Sequence, residues 1–221
     1  LRNTYAFYEL YKDEVGEPDS KSPHVLDRWV VRRLEELTSQ MTEAFDRYDA
    51  IRAARPVREF VEDFSTWYLR RSRDRMKGED AEDKKRALSP MPYVALTFSQ
   101  PLAPLMPFIA EPLYQNVKEK GSPESVHLAL WPETKSAPIW SLFGFSKSSN
   151  SIITDMAEVR RAVSLGLEKR AAANIKVRQP LSEVRLKSAV LSGKSELIDL
   201  IRDELNVKRV AIESGMEEDV V

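Results

Sequence analysis

The sequence predicts a mainly α protein: an antiparallel helical bundle followed by a small, truncated α/β module. Three observations predict it. Up to Lys118, apolar residues recur at steps of three and four, the period of amphipathic helices. From Thr154 the pattern becomes helix, strand, helix, strand. Two strands make a poor sheet by themselves, so the second part reads as cut short at its C-terminal side.

The opening segment places Tyr5, Phe7 and Tyr8 toward one side of a short helix. Gly16, Pro18, Asp19, Ser20 and Pro23 then read as a loop. Leu26, Trp29, Val30, Leu34, Leu37, Met41, Ala44, Phe45 and Tyr48 draw a stripe along a long helix, with Arg28, Arg32, Glu35, Glu36 and Glu43 off it. Asp49 can cap a second long helix with an apolar stripe through Ile51, Ala54, Val57, Phe60, Val61, Phe64, Trp67 and Tyr68. Pro56 should kink that helix or mark its first turn. Residues 78–86 are dense in charge and read as a loop. Pro90 and Pro92 open a third helix, broken by the run from Pro101 to Pro107, and Pro107 opens a fourth. Core positions expected from this pattern are Trp29, Leu34, Phe45, Phe64 and Leu113.

Past Gly121 the character changes. Residues 126–132 read as an extended strap ended by Pro132, and residues 135–152 as a Ser- and Gly-rich linker or insertion carrying Trp140, Phe143 and Phe145. A helix over 154–173 with Met156, Val159, Val163 and Leu167 inward, a strand at 184–186, a helix over 195–205 and a strand over 207–212 complete the chain. The expected division is a bundle over 1–134, the linker, and the α/β module over 153–221.

Composition excludes several function classes. The 221 residues carry 34 Lys and Arg against 35 Asp and Glu, a net charge of -1, so any nucleic-acid affinity must come from local patches. There is no Cys, which removes disulfides and thiolate zinc sites, and His24 and His127 are the only imidazoles. Glu62 and Asp63 read as helix surface, and the run Glu217-Glu218-Asp219 as an acidic tail. Neither has a nucleophile or base converging on it. No run of about 18 apolar residues exists to span a membrane. The chain opens at Leu1 without an initiator Met or a targeting signal, as an excised segment would.

Six segments, in order, resemble the C-terminal third of isoleucyl-tRNA synthetases. They are Leu1-Arg2-Asn3-Thr4-Tyr5-Ala6-Phe7-Tyr8; Leu26-Asp27-Arg28-Trp29-Val30; Phe60 through Trp67-Tyr68-Leu69-Arg70-Arg71-Ser72-Arg73; Leu102-Ala103-Pro104 through Tyr114-Gln115-Asn116; Ser125-Val126-His127-Leu128 with Trp131-Pro132; and Ile175-Lys176-Val177-Arg178-Gln179-Pro180-Leu181 followed by Glu204-Leu205-Asn206-Val207-Lys208. The related valyl and leucyl enzymes share the bundle, but the Arg-Arg-Ser-Arg ending is similar to the isoleucyl branch. Pro56, Pro90 and Pro92 depart from the family's smooth helices, and residues 135–150 have no counterpart in it.

The resemblance implies the anticodon-binding domain of a class I aminoacyl-tRNA synthetase, with isoleucine tRNA as partner. It implies a cytoplasmic, monomeric protein without membrane contact. The family's His-Ile-Gly-His-like and Lys-Met-Ser-Lys-Ser-like motifs are absent here. Aminoacylation with ATP and magnesium, and editing, would therefore belong to other domains of the full-length chain, and no cofactor is expected in this part.

Arg70, Arg71, Arg73, Arg75 and Lys77 set five cations against Asp74 within eight residues. On a continued helix Arg70, Arg73 and Lys77 share one face and Arg71 and Arg75 a neighbouring one. Such a rail suits RNA phosphates, and it equally suits a solvated helix end. Trp67 and Tyr68, just before it, would stack on an unpaired base or lie in the core, and the apolar stripe favours core for Trp67. Lys176, Arg178 and Gln179 occupy a tight connection before Pro180, where they would read the anticodon region or bind the turn's own carbonyls. His127 fits a structural hydrogen bond better than a ligand role.

Overall fold

The computed structural model describes residues 2–14, 22–133, 151–213 and 220, with the side chains of residues 2–5 and 13 left aside. The expectations for Tyr5, for the loop over 16–20, for Trp140, Phe143 and Phe145, and for the acidic tail lie outside the described residues. Two compact units emerge, Leu1–Phe143 and Gly144–Val221.

The described elements of the first unit are helices: α1 (Arg2–Tyr11), α2 (Val25–Asp46), α3 (Ala50–Glu62), a π-helical segment (Asp63–Leu69), α4 (Arg70–Lys77), α5 (Ala81–Leu88), α6 (Pro90–Leu102) and α7 (Pro107–Val117). His24 caps α2, its ring nitrogen accepting from the Leu26 amide at 3.3 Å. Asp49 caps α3 by accepting from the Arg52 amide at 2.8 Å, as its position suggested. The core is built on Trp29, Leu34, Met41, Phe60, Phe64, Tyr68, Met76, Phe98, Leu113 and Tyr114. Tyr48 and Ile51, expected on the apolar stripes, are exposed at the corner between α2 and α3, and Phe45 is the exception among the expected core residues. It is half-buried at the end of α2, where Trp131 meets it edge-on with ring centroids 5.7 Å apart. The Trp131 indole also donates to Thr42 at 2.9 Å, so this aromatic closes the strap onto α2.

Three local expectations are corrected. Residues 78–86 are not a loop: α5 forms there because Asp80 accepts from the amides of Glu82 and Asp83, with acids in its first turn and Lys85 and Arg86 in its last. The strap is not fully extended, because Ser125 caps a short 3-10 turn over Val126–Leu128, held by Glu111 accepting from Ser125 Oγ at 2.8 Å and the Val126 amide at 3.0 Å. Glu111 is held below the usual carboxylate range by hydrogen bonds from Gln115 and Ser125. Pro56 does not open α3 but sits inside it. The departure from α geometry comes later, at Asp63–Leu69. There the hydroxyls of Ser65 and Thr66 donate to the Val61 and Glu62 carbonyls, the acceptors an α pattern would give to their own amides.

The second unit is α8 (Ser151–Ala172), β1 (Leu181–Leu186), α9 (Ser195–Leu205) and β2 (Val207–Ile212). The strands pair in parallel, Leu181 opposite Val207 and Leu186 opposite Ile212, with α9 as the crossover. Val220 bridges to Leu186 on the free side of β1. The buried face of α8 runs through Val159, Val163, Gly166 and Arg170, with Leu167 only half-buried. Gly166 is needed because Leu205 of α9 lies where a Cβ would stand, 2.5 Å away.

Candidate nucleic-acid interface

The cationic run lies on α4, whose orientation is set from both ends. Its N-terminal neighbour is the π segment, and α3, that segment and α4 continue one another without a break from Ala50 to Lys77. At the start of the segment Asp63 accepts from Arg33 of α2 at 2.9 Å. Asp63 is therefore buried, not surface as its neighbour Glu62 is; the wider π turn carries it in toward α2. Trp67 and Tyr68 are both core.

One polar cluster pins α4 to α2 and α5. The Asp27 carboxylate, 1% exposed, accepts from Ser22 Oγ at 2.6 Å, the Tyr68 hydroxyl at 2.9 Å and Arg75 Nη1 at 3.4 Å. Arg75 also reaches Asp83 of α5 at 3.0 Å. Burial lowers the Arg75 guanidinium, but Asp83 and Asp27 outweigh it and hold it above its ordinary value. Burial, reinforced by Asp27, keeps the Tyr68 phenol well above its own.

The five cations therefore separate. Arg75 is turned inward as a structural ion pair. Arg71 is half-buried with its guanidinium over the Trp67 ring, 3.6 Å from the centroid. Arg70, Arg73 and Lys77 lie on the exposed face of α4; Arg70 Nε donates to the Thr66 carbonyl at 3.2 Å, and Arg73 lies 5.6 Å from the Phe7 ring. Each of these three presents charge to solvent on a helix that is fixed on its other side.

In the second unit the side chains of Lys176, Arg178 and Gln179 are all exposed. The carbonyls of that turn are held instead by Arg170, 4% exposed, a residue that the sequence pattern did not single out. Arg170 Nη1 donates to the Lys176 and Gln179 carbonyls at 3.2 and 3.0 Å, and Nη2 to those of Leu205 and Asn206 at 2.6 and 3.2 Å. Asn206, in a left-handed conformation with φ 48°, donates its amide to the Val177 carbonyl at 2.9 Å. A signal was available: Arg170 continues the helical spacing of Val159, Val163 and Gly166. The loop backbone is thus tied down while its polar side chains point out. His127 is likewise exposed; its backbone amide donates to Ser125 Oγ at 3.2 Å, and its ring adds to the hydrogen bonds from Gln115 and Ser125 in lowering the nearby Glu111 carboxyl.

Residues 27–186 match the family described as the anticodon-binding domain of tRNA ligase. The chain belongs to this family. The match takes in both α4 and the Lys176–Gln179 loop. Similar curated proteins are the isoleucine–tRNA ligases of Clostridium acetobutylicum, 38% identical over 95% of this chain; of Deinococcus radiodurans, 36% over 97%; and of Streptomyces coelicolor, 39% over 95%. The chain spans about one fifth of the length of each (20%). Among the described residues, no group of His, Cys, Asp and Glu in this anticodon-binding domain could hold a metal ion, and no helix is long and apolar enough to cross a membrane.

Proposed function

We propose that the chain grips the anticodon arm of isoleucine tRNA, as the tRNA-binding part of an isoleucine–tRNA ligase. In that setting the acceptor end reaches a catalytic domain elsewhere in the ligase, where ATP with magnesium drives aminoacylation. The observation that carries this reading is the identity of 36–39% over nearly the whole chain to proteins named isoleucine–tRNA ligase. The surface supports it. Arg70, Arg73 and Lys77 meet the phosphate backbone, because guanidinium and ammonium groups on a fixed helix face neutralise phosphates without reorganising. Arg71 and Arg75 contribute by holding that helix in place. Lys176, Arg178 and Gln179, on a loop whose backbone is already ordered, supply the second contact. Ordering a loop in advance lowers the entropy lost on binding.

Electrophoretic mobility shift with isoleucine and valine tRNAs at two salt concentrations tests it. Isoleucine tRNA is expected to shift at lower protein concentration than valine tRNA, and both shifts to weaken with salt. Equal affinity for the two would refute the isoleucine assignment. No salt-dependent shift with either would refute RNA binding by the chain and favour a protein-interaction scaffold.

A further inference from the structure

The corner between α2 and α3 carries a residue that the fold does not ask for. Arg47, Tyr48 and Asp49 end α2 in the usual glycine-terminated geometry: the Tyr48 amide donates to the Phe45 carbonyl and the Asp49 amide to the Ala44 carbonyl, both at 2.9 Å. The residue turning the chain must adopt positive φ, and here it is Tyr48 at φ 58°. Glycine takes that conformation without strain, whereas a bulky side chain there is an outlier. The ring gives nothing back to the fold, since Tyr48 is 97% exposed and its side chain makes no hydrogen bond or ring contact among the described residues. A strained backbone that presents a wholly solvated aromatic ring points to a function for the ring.

Its surroundings say which chemistry. Arg47 and Arg52 flank it, both reaching Glu43 (3.0 and 3.5 Å) while staying more than half exposed. Arg55 and Arg58 follow on the outer face of α3, lining an open groove with Ile51, Ala54 and the carboxylates of Glu59 and Glu62. Four arginines set beside one exposed aromatic, against Glu43, Glu59 and Glu62 and with the Asp49 carboxylate engaged as the α3 cap, suit a single-stranded nucleic acid. The ring stacks on a base and the guanidinium groups take the phosphates beside it. The corner also lies at the far end of the helical run that becomes α4. At 1.5 Å per residue, Arg52 and Arg73 are about 30 Å apart along the axis, a span an RNA arm can bridge.

We infer that the α2–α3 corner is a second RNA contact, in which an unpaired base of the tRNA stacks on Tyr48 while Arg52, Arg55 and Arg58 hold its flanking phosphates. This rests on the tRNA-binding reading above. The test is the affinity of the whole chain for isoleucine tRNA across a salt series, for wild type, Tyr48→Gly, Tyr48→Trp and Arg55→Ala/Arg58→Ala, with melting temperatures alongside. Tyr48→Gly is expected to weaken binding on the order of tenfold with an unchanged salt slope, because stacking releases no counterions. Its melting temperature should not fall, since glycine relieves the left-handed strain. Tyr48→Trp should bind as wild type does, and the double arginine variant should lower the log–log slope by roughly one to two contacts. Tyr48→Gly binding like wild type would overturn the inference, as would a loss that Tyr48→Trp does not restore. If those results came with a wild type that binds tRNA well, only the corner contact would fall. A wild type that binds no tRNA would overturn this inference and the reading beneath it together.

Discussion

Asp27→Ala is expected to cost the bundle about 3 kcal/mol, the largest loss from any single polar truncation in the first unit. The carboxylate is the shared acceptor for Ser22, Tyr68 and Arg75, which come from the entry to α2, the π segment and α4. Removing it leaves a fully buried phenol hydroxyl without its acceptor and the half-buried Arg75 guanidinium with Asp83 as its remaining carboxylate, and a buried donor that loses its acceptor forfeits its full desolvation cost. Asp27→Asn keeps one acceptor oxygen and should lose less. Tyr68→Phe, which removes donor and demand together, should cost only about 1 kcal/mol. Urea unfolding measures all three. If Asp27→Ala falls within the roughly 0.5 kcal/mol typical of surface changes, the cluster does not hold α4 against α2.

Arg170→Leu should lower the stability of the second unit by about 3 kcal/mol and leave the first unchanged. One guanidinium serves four carbonyls from two separate stretches, the Lys176–Gln179 turn and the Leu205–Asn206 exit of α9. Of these, the Asn206 carbonyl retains a partner in the Leu181 amide, at 3.1 Å, and the Lys176 carbonyl in the Gln179 amide, at 2.9 Å, so the loss falls mainly on the carbonyls of Gln179 and Leu205. Arg170→Lys keeps the charge but not the planar fork, and should recover only part of the loss. Hydrogen exchange localises the effect: amides over 175–181 should lose protection before those of α2 or α6. Uniform loss across both units would mean that Arg170 does more than clamp this loop.

Both residues show where the sequence was legible and where it stopped. Helix and strand placement came from periodicity, because burying one face of each element demands it: the 195–205 helix and the 207–212 strand coincide with α9 and β2, and Pro90 and Pro107 open α6 and α7. Charged residues resist such reading, because the same side chain is a solvated surface group or a buried pair depending on a partner far along the chain. Asp27 and Arg75 are 48 residues apart, Arg33 and Asp63 are 30 apart, and Arg170 meets Asn206 across 36. The π segment escaped for a related reason, since a wider turn alters the phase of the helix without changing its composition. Charge density likewise hid α5, although Asp80 followed by Glu82 and Asp83 carried a helix-start signal. The candidate RNA-facing cations were found as a group by clustering alone. Their division into Arg70, Arg73 and Lys77 outward and Arg71 and Arg75 inward needed the fold.

The measurement that tests the central claim most directly is the salt dependence of isoleucine tRNA binding by the chain and by a variant with Arg70, Arg73, Lys77, Lys176 and Arg178 changed to Ala. Each phosphate contact contributes roughly 0.7 to 0.9 to the log–log slope. The variant, with helicity intact by circular dichroism, is expected to bind far more weakly and with a slope shallower by roughly three to four. A folded variant that binds with the wild-type affinity and slope would contradict the assignment of these side chains as the tRNA-binding surface.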